Sequence, residues 1–223
     1  MSTNLNKIKA IFKYGFETGK LSQFPFSTIK IRRTYYNDIK YLTQEQLTLI
    51  KQKSFDNRRL KEIADCFLFQ CYSGLAWIDL ANLVPEDFKK ADNGLYYIKK
   101  KRIKTGIEYV SILFQEAISI ALYYDFKLPV KSNQKYNQYL KEIAAICNLC
   151  DEDGNVIELT THMARHSYAI FVFNKLPDRE IAMKVLGHTD PKINAIYAKI
   201  LDKTIFDKIG AVETEEEKME REF

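Results

Sequence analysis

The chain has 223 residues, of which 46% are hydrophobic and 28% charged, a length and composition that allow one domain with a small appendage and exclude wholesale disorder. The formal net charge of +5 is unevenly spread. Residues 211–223 hold six Glu against Lys218 and Arg221, and taking these from the chain's 34 Lys and Arg and 29 Asp and Glu leaves 32 and 23, a basic body suited to a polyanionic partner.

From the N-terminus, Leu5, Ile8, Phe12 and Phe16 recur at helical spacing and predict an amphipathic helix over 3–17, ended by Gly19. Residues 20–41, with Pro25 and the pair Arg32-Arg33, show no clear period and read as a linker or extended strap. The main domain is expected from Tyr41, where Thr43 and Gln46 form a capping box ahead of Leu47 and Ile50. A long apolar helix is predicted over 57–72 and is broken at Ser73-Gly74. A short one follows over 77–83, then a loop introduced by Pro85 and Asp87. The period then changes to two: Tyr96-Ile98 and Tyr109-Ser111 flank a basic stretch, Lys99 to Thr105, and predict a hairpin. Helices resume at 115–124 and 132–147, the segment 151–154 (DEDG) is a turn, and helices follow at 162–174, 178–186 and 191–200. A short helix over 201–209 precedes the acidic tail. The fold class expected is mainly α with a small antiparallel β-sheet.

Four cysteines stand at 66, 71, 147 and 150. No 18-residue apolar run marks a membrane span and no leader pattern opens the chain, so a reducing, cytoplasmic setting without disulfides is expected. Cys147 and Cys150 have metal-like spacing, but they continue the apolar helical pattern of Tyr136, Leu140 and Ile143 and are read as buried core thiols. No Gly-rich phosphate loop and no metal-ligand triplet is present, so neither cofactor nor metal is expected.

The three histidines, His162, His166 and His188, lie within 27 residues, beside Arg165 and upstream of Tyr197. His162 and Arg165 are three apart at a helix start and project from one face. His188 follows the helix-ending Gly187, and Tyr197 falls on the next helix. A cationic, proton-donating cluster without carboxylates is poor for metal and good for phosphate. Taken singly, Arg165 reads as an ion-pair member, His162 as a structural histidine and Tyr197 as one tyrosine among fourteen. His166 reads as a group that packs behind the site.

Together these residues resemble a known signature. His162-x2-Arg165, a gap of 22 residues to the His188 of Leu186-Gly187-His188, then a gap of eight and Tyr197 are similar to the motifs of the tyrosine recombinases, the phage integrase family. Upstream, residues 71–83 (CYSGLAWIDLANL) resemble the first motif of that family, and residues 102–106 (RIKTG) resemble the hairpin that carries its catalytic lysine. The resemblance spans about residues 41–204. It implies a catalytic domain over 41–210 with an acidic tail over 211–223. Residues 1–31 resemble the last helix and exit strap of the family's DNA-gripping arm, with 32–40 as linker.

One position departs from the pattern. Most members carry arginine after the Gly-Leu of the first motif, and here Ala76 stands there. A group from mobile elements of Bacteroides-type bacteria has the same loss, with an arginine two residues before the catalytic lysine in its place, and Arg102-Ile103-Lys104 matches that arrangement. Residues two apart on a strand face the same side, so Arg102 and Lys104 are expected to reach one phosphate.

The resemblance implies phosphoryl transfer without metal. Tyr197 would attack a DNA phosphodiester, Arg165 and Arg102 would neutralise the phosphate, Lys104 would protonate the leaving 5′-oxygen, His162 would act on the tyrosine proton and His188 would hydrogen-bond a phosphate oxygen. Asp79 lies where the family carries a bracing acid, and His166 would support from behind. The basic residues Arg32, Arg33, Arg58, Arg59, Lys99, Lys100 and Lys101 are the candidate contacts to double-stranded DNA. The resemblance further implies a tetramer on paired sites, accessory DNA-bending proteins, no membrane, and a bacterial protein that is nucleoid-associated when on DNA. Its role would be integration or excision of a mobile element. Two other readings stay open: a DNA-binding protein that kept the fold without activity, for which Ala76 speaks, and a topoisomerase-like relaxing enzyme.

Overall fold

The computed structural model describes residues 2–29, 40–104, 106, 108–151, 153–175, 181 and 185. The chain divides into two compact units, Met1–Asp38 and Ile39–Phe223.

The first unit holds helix α1, Ser2–Glu17. A single helix of this length is marginal in water unless something covers its apolar face. Here the chain turns at Gly19, whose φ of 69° is left-handed, and comes back so that the Leu21 N–H donates to the Gly15 carbonyl at 3.0 Å. The rings of Phe26 and Phe24 then lie 5.6 Å from Phe12 and 6.1 Å from Phe16. Residues 20–29 are therefore turns folded onto the helix by an aromatic cluster, where the sequence pattern suggested a plain strap.

The second unit is built around a central helix. Helix α2, Gln44–Gln52, opens with the capping box of Thr43 and Gln46. Helix α3, Arg58–Ser73, starts at the Asn57 cap and ends at Gly74 in the left-handed conformation. It is buried almost throughout from Leu60 onward. Helices α5, Gln115–Tyr123, α6, Asn133–Ile146, and α7, Thr161–Lys175, pack around it. Their apolar faces supply Ala117, Ala121, Tyr136, Leu140, Ile143, Met163 and Ala164 to one core.

Between α3 and α5 lie the short helix α4, Trp77–Ala81, and an antiparallel sheet in the order β1-β2-β3. The strands are β1, Phe88–Lys90, β2, Tyr96–Lys101, and β3, Glu108–Ile112. The hairpin of β2 and β3 lies where the two-residue period placed it, and its register pairs Lys100 with Tyr109 and Lys101 with Glu108. Strand β1 was not expected: it follows a 3-10 turn at Pro85–Asp87 and is too short to show a period.

The hairpin is fastened to the helical core. The Phe114 N–H donates to the Tyr72 carbonyl at 3.1 Å, the Ser111 hydroxyl donates to the Ser73 carbonyl, and the Tyr168 hydroxyl donates to the Ile112 carbonyl at 2.8 Å. Cys66, Cys71 and Cys147 are buried, but Cys150 is exposed. The expectation that Cys147 and Cys150 are both core thiols fails at Cys150, because the chain has left α6 and pairs Cys150 with Val156 in an isolated bridge. Among the described residues, no helix is long and apolar enough to cross a membrane.

Candidate active site

The site is assembled where the end of α3, the start of α4, the β2–β3 turn and α7 meet. Each contributes for a local reason. Gly74 ends α3 at a φ of 67°, and a Cβ there would collide with the Tyr168 ring. The tight turn at 74–76 therefore depends on glycine. A buried relay holds the same turn from the other side: the Gln70 amide donates to the Leu75 carbonyl at 3.0 Å and accepts from the Tyr136 hydroxyl at 2.8 Å.

Helix α7 brings Arg165 to this turn. Its Nη1 donates to the Gly74 carbonyl at 2.8 Å. One face of the guanidinium fork is thus anchored on the segment that precedes Ala76. His162, one turn earlier on α7 as the three-residue spacing predicts, stands at the exposed edge. Its ring lies 4.4 Å from that of His166, nearly perpendicular at 78°.

The β2–β3 turn brings Arg102 and Lys104. Strand β2 ends at Lys101, so both residues lie in the turn and the strand alternation expected to align them does not operate. What fixes the turn is Asp79 on α4. This carboxylate is buried, and its Oδ1 accepts the Ile103 N–H, between Arg102 and Lys104, at 3.1 Å. The Arg102 carbonyl also accepts from the Gly106 N–H at 2.8 Å. The Arg102 guanidinium lies over the ring of Tyr109, 4.6 Å from its centroid.

The electrostatics record the same convergence. Burial lowers the pKa of Arg102 and the negative charge of Asp79 opposes this, so the guanidinium stays charged. The Tyr109 phenol is pushed up by burial and by Asp79, and pulled down by Arg102 and Arg165. One phenol therefore senses both guanidiniums and the carboxylate. Partial desolvation where its ring lies against the protein lowers the pKa of His162, and the positive charges of Arg165 and Lys104 lower it further. Burial, His162 and Arg165 bring His166 down to about 4. Both imidazoles are neutral at pH 7, and His162 can accept a proton. The arrangement gathers fixed positive charge and a neutral base around Ala76. That is chemistry for a phosphate. Among the described residues no group of three His, Cys, Asp or Glu side chains is placed to hold a metal ion.

The structure thus brings together Arg165, Arg102, Lys104, His162, His166 and Asp79. Tyr197, His188, Arg32 and Arg33 lie outside the described residues. The other basic candidates diverge in setting. Lys100 is committed to partners in the protein, with Nζ 2.6 Å from Asp87 Oδ2 and 3.0 Å from the Asn82 carbonyl oxygen. Lys99 lies 3.8 Å from Glu108, and Lys101 is exposed. Arg58 pairs with Glu62 on α3, and Arg59 donates to the Tyr139 hydroxyl at 2.9 Å. These last two sit at the opposite end of α3 from the site. Sequence reasoning missed Tyr109, Gln70 and the Gly74 carbonyl. Only the inward position of Tyr109 in the strand alternation was a signal for it.

No family model matches the chain. A 77-residue segment, 34% of this chain, is 29% identical to Transposase B from transposon Tn554 of Staphylococcus aureus strains Mu50 and N315, and it spans only 12% of that protein. Among solved structures, the XerH site-specific recombinase bound to a palindromic difH substrate superposes with a TM-score of 0.61 at 18% identity, over 86% of this chain and 59% of that one. The Tn1549 transposon integrase in complex with circular intermediate DNA gives 0.57 at 14% identity, over 88% and 75%. The catalytic domain of bacteriophage HP1 integrase gives 0.50 at 16% identity, over 73% and 88%. The chain spans about three fifths of the recombinase it matches. With its helices around α3 and its three-stranded antiparallel sheet, the chain has the mainly α-helical architecture of a tyrosine recombinase catalytic domain.

Proposed function

We propose that this protein cuts and rejoins double-stranded DNA through a covalent phosphotyrosyl intermediate, as a site-specific recombinase or integrase of a mobile element. The observation that carries the reading is the convergence of Arg165 and Arg102 on Tyr109: Arg165 Nη1 holds the Gly74 carbonyl, Arg102 lies over the Tyr109 ring, and both charges pull that phenol's pKa down. Two planar guanidiniums fixed at one place suit the two non-bridging oxygens of a phosphodiester. Arg102 then stands in for the arginine absent at Ala76, the arrangement for which the sequence resembles Bacteroides-type integrases.

In this mechanism Tyr197 Oη attacks the phosphorus and the bond to the 5′-oxygen breaks. His162, neutral at pH 7, takes the tyrosine proton, and Lys104 gives one to the leaving oxygen. His188 hydrogen-bonds a phosphate oxygen. The product is a 3′-phosphotyrosyl bond and a free 5′-hydroxyl. Attack by a 5′-hydroxyl of another strand reverses these steps and exchanges the strands. The charge that builds on the phosphate is met by side chains held in place before the reaction, so the chemistry is expected to need no divalent ion. Lys101 and Lys99, exposed next to the β2–β3 turn, would follow the DNA backbone, with Arg32 and Arg33 in the segment before the second unit and Arg58 and Arg59 as more distant contacts. Residues 1–31 would belong to a DNA-gripping arm, and the whole protein would act as a tetramer on paired sites.

A pool of randomised duplexes, nicked so that cleavage sheds a short 5′-hydroxyl strand, tests this in EDTA. A covalent protein–DNA adduct that survives denaturation is expected. Ala76 also favours a second reading, a fold retained for DNA binding alone. Retention of DNA with no adduct at any sequence would establish that reading.

A further inference from the structure

Tyr109 packs in the main core, and it makes a further contact that core packing does not require. It is buried, 4% exposed, and its hydroxyl has no hydrogen-bond partner among the described residues. A buried phenol without a partner is unfavourable relative to phenylalanine. It is not an anchor between sheet and helix either, because Ser111, Phe114 and Tyr168 already make those bonds. Beyond the core, Tyr109 touches Arg102: the guanidinium carbon lies 4.6 Å from the ring centroid. The ring itself is held rigidly. Tyr109 pairs with Lys100 across the hairpin, and Ser111, two residues on and facing the same side, is fastened to the end of α3.

We propose that Tyr109 is the positioning residue of Arg102, an aromatic shelf that holds the guanidinium at the phosphate site and so lets an arginine from the hairpin replace the one missing at Ala76. The inference rests on the strand-cleavage reading above. An arginine in the chain that leaves β2 has more freedom than one following the tight turn after α3, and every rotamer it visits away from the phosphate weakens the clamp. A ring face attracts the guanidinium and fixes its plane. Asp79 fixes the backbone of the same turn through Ile103. The backbone and the head of Arg102 are thus held separately, one by a carboxylate and one by a ring.

Two measurements on the full chain test the proposal. Side-chain NMR of Arg102 reports the stack whether or not the protein cleaves DNA. The Arg102 Hε and Hδ resonances should be shifted upfield by the ring in the wild type and in Tyr109→Phe, and should return to open-chain positions in Tyr109→Leu. Open-chain positions in the wild type would overturn the proposal. The second measurement is the rate of adduct formation on the nicked pool. Tyr109→Leu should lose about tenfold and Tyr109→Phe should restore the rate. The loss should vanish in an Arg102→Ala background, and also on DNA carrying an uncharged methylphosphonate at the mapped cleavage position. An equal loss in the Arg102→Ala background would make Tyr109 a packing residue and overturn the proposal. A wild-type protein that stacks Arg102 but forms no adduct on any duplex contradicts the cleavage reading and leaves the stack standing.

Discussion

The carboxylate of Asp79 accepts the backbone N–H of Ile103 at 3.1 Å, and this bond joins the helix after Ala76 to the turn that carries Arg102 and Lys104. A buried carboxylate bonded to one N–H controls where two cationic side chains stand. Asp79→Ala should release the turn, lowering adduct formation about 10- to 100-fold and the stability by about 1–3 kcal/mol. Asp79→Asn keeps an acceptor and should retain more of both. Rates and melting of the two variants side by side check this.

Arg102→Ala should reduce adduct formation by two to three orders of magnitude, about the effect of removing one charge-stabilising donor, while DNA retention changes only a few-fold. If Arg102 replaces the arginine absent at Ala76, then Ala76→Arg should recover much of the loss in the Arg102→Ala protein. Ala76 is only partly covered, so a longer side chain has room. Failure of this rescue in a folded double variant would separate the two positions.

Gly74→Ala should destabilise the protein by more than about 3 kcal/mol. The residue has a φ of 67°, and an added Cβ would strike the ring of Tyr168. That ring is itself fixed by its bond to the Ile112 carbonyl. Chemical denaturation gives the change directly, and a loss under 1 kcal/mol would mean the turn relaxes freely.

The histidines give the pH dependence a sign. His166 falls from its ordinary 6.5 to about 4 in the folded chain, so the unfolded chain takes up its proton first as the pH drops. The stability is complete above pH 6.5 and is lost between 6.5 and 4, by about 2 kcal/mol once solvent screening is allowed for. His166→Gln should flatten this part of the stability curve. His162 is also lowered, so the acid limb of the cleavage rate should lie below pH 6.5 and the rate should be level from pH 7 to 8.

Local signals carried much of the fold. The capping box at Thr43 and Gln46, the stop at Gly74 and the three-residue spacing of His162 and Arg165 each act within one turn of helix, so the sequence exposed them. The end of β2 was hidden because Asp79, 24 residues from Ile103, captures the backbone that alternation would have continued. Tyr109 was hidden for the same reason: its strand position was legible, but its partner Arg102 reaches it across a turn whose shape another element sets. Cys150 shows the limit of periodicity, since the apolar pattern ran on past the end of α6 into an exposed bridge.

The central claim is that a phosphate held by Arg165 and Arg102 is attacked by Tyr197. Mass spectrometry of the nuclease- and protease-digested adduct, formed in EDTA, tests it most directly. A 3′-nucleotide on the peptide containing Tyr197, a free 5′-hydroxyl on the released strand, and no adduct from Tyr197→Phe are expected. A nucleotide on any other residue, or an adduct that persists in Tyr197→Phe, would contradict it.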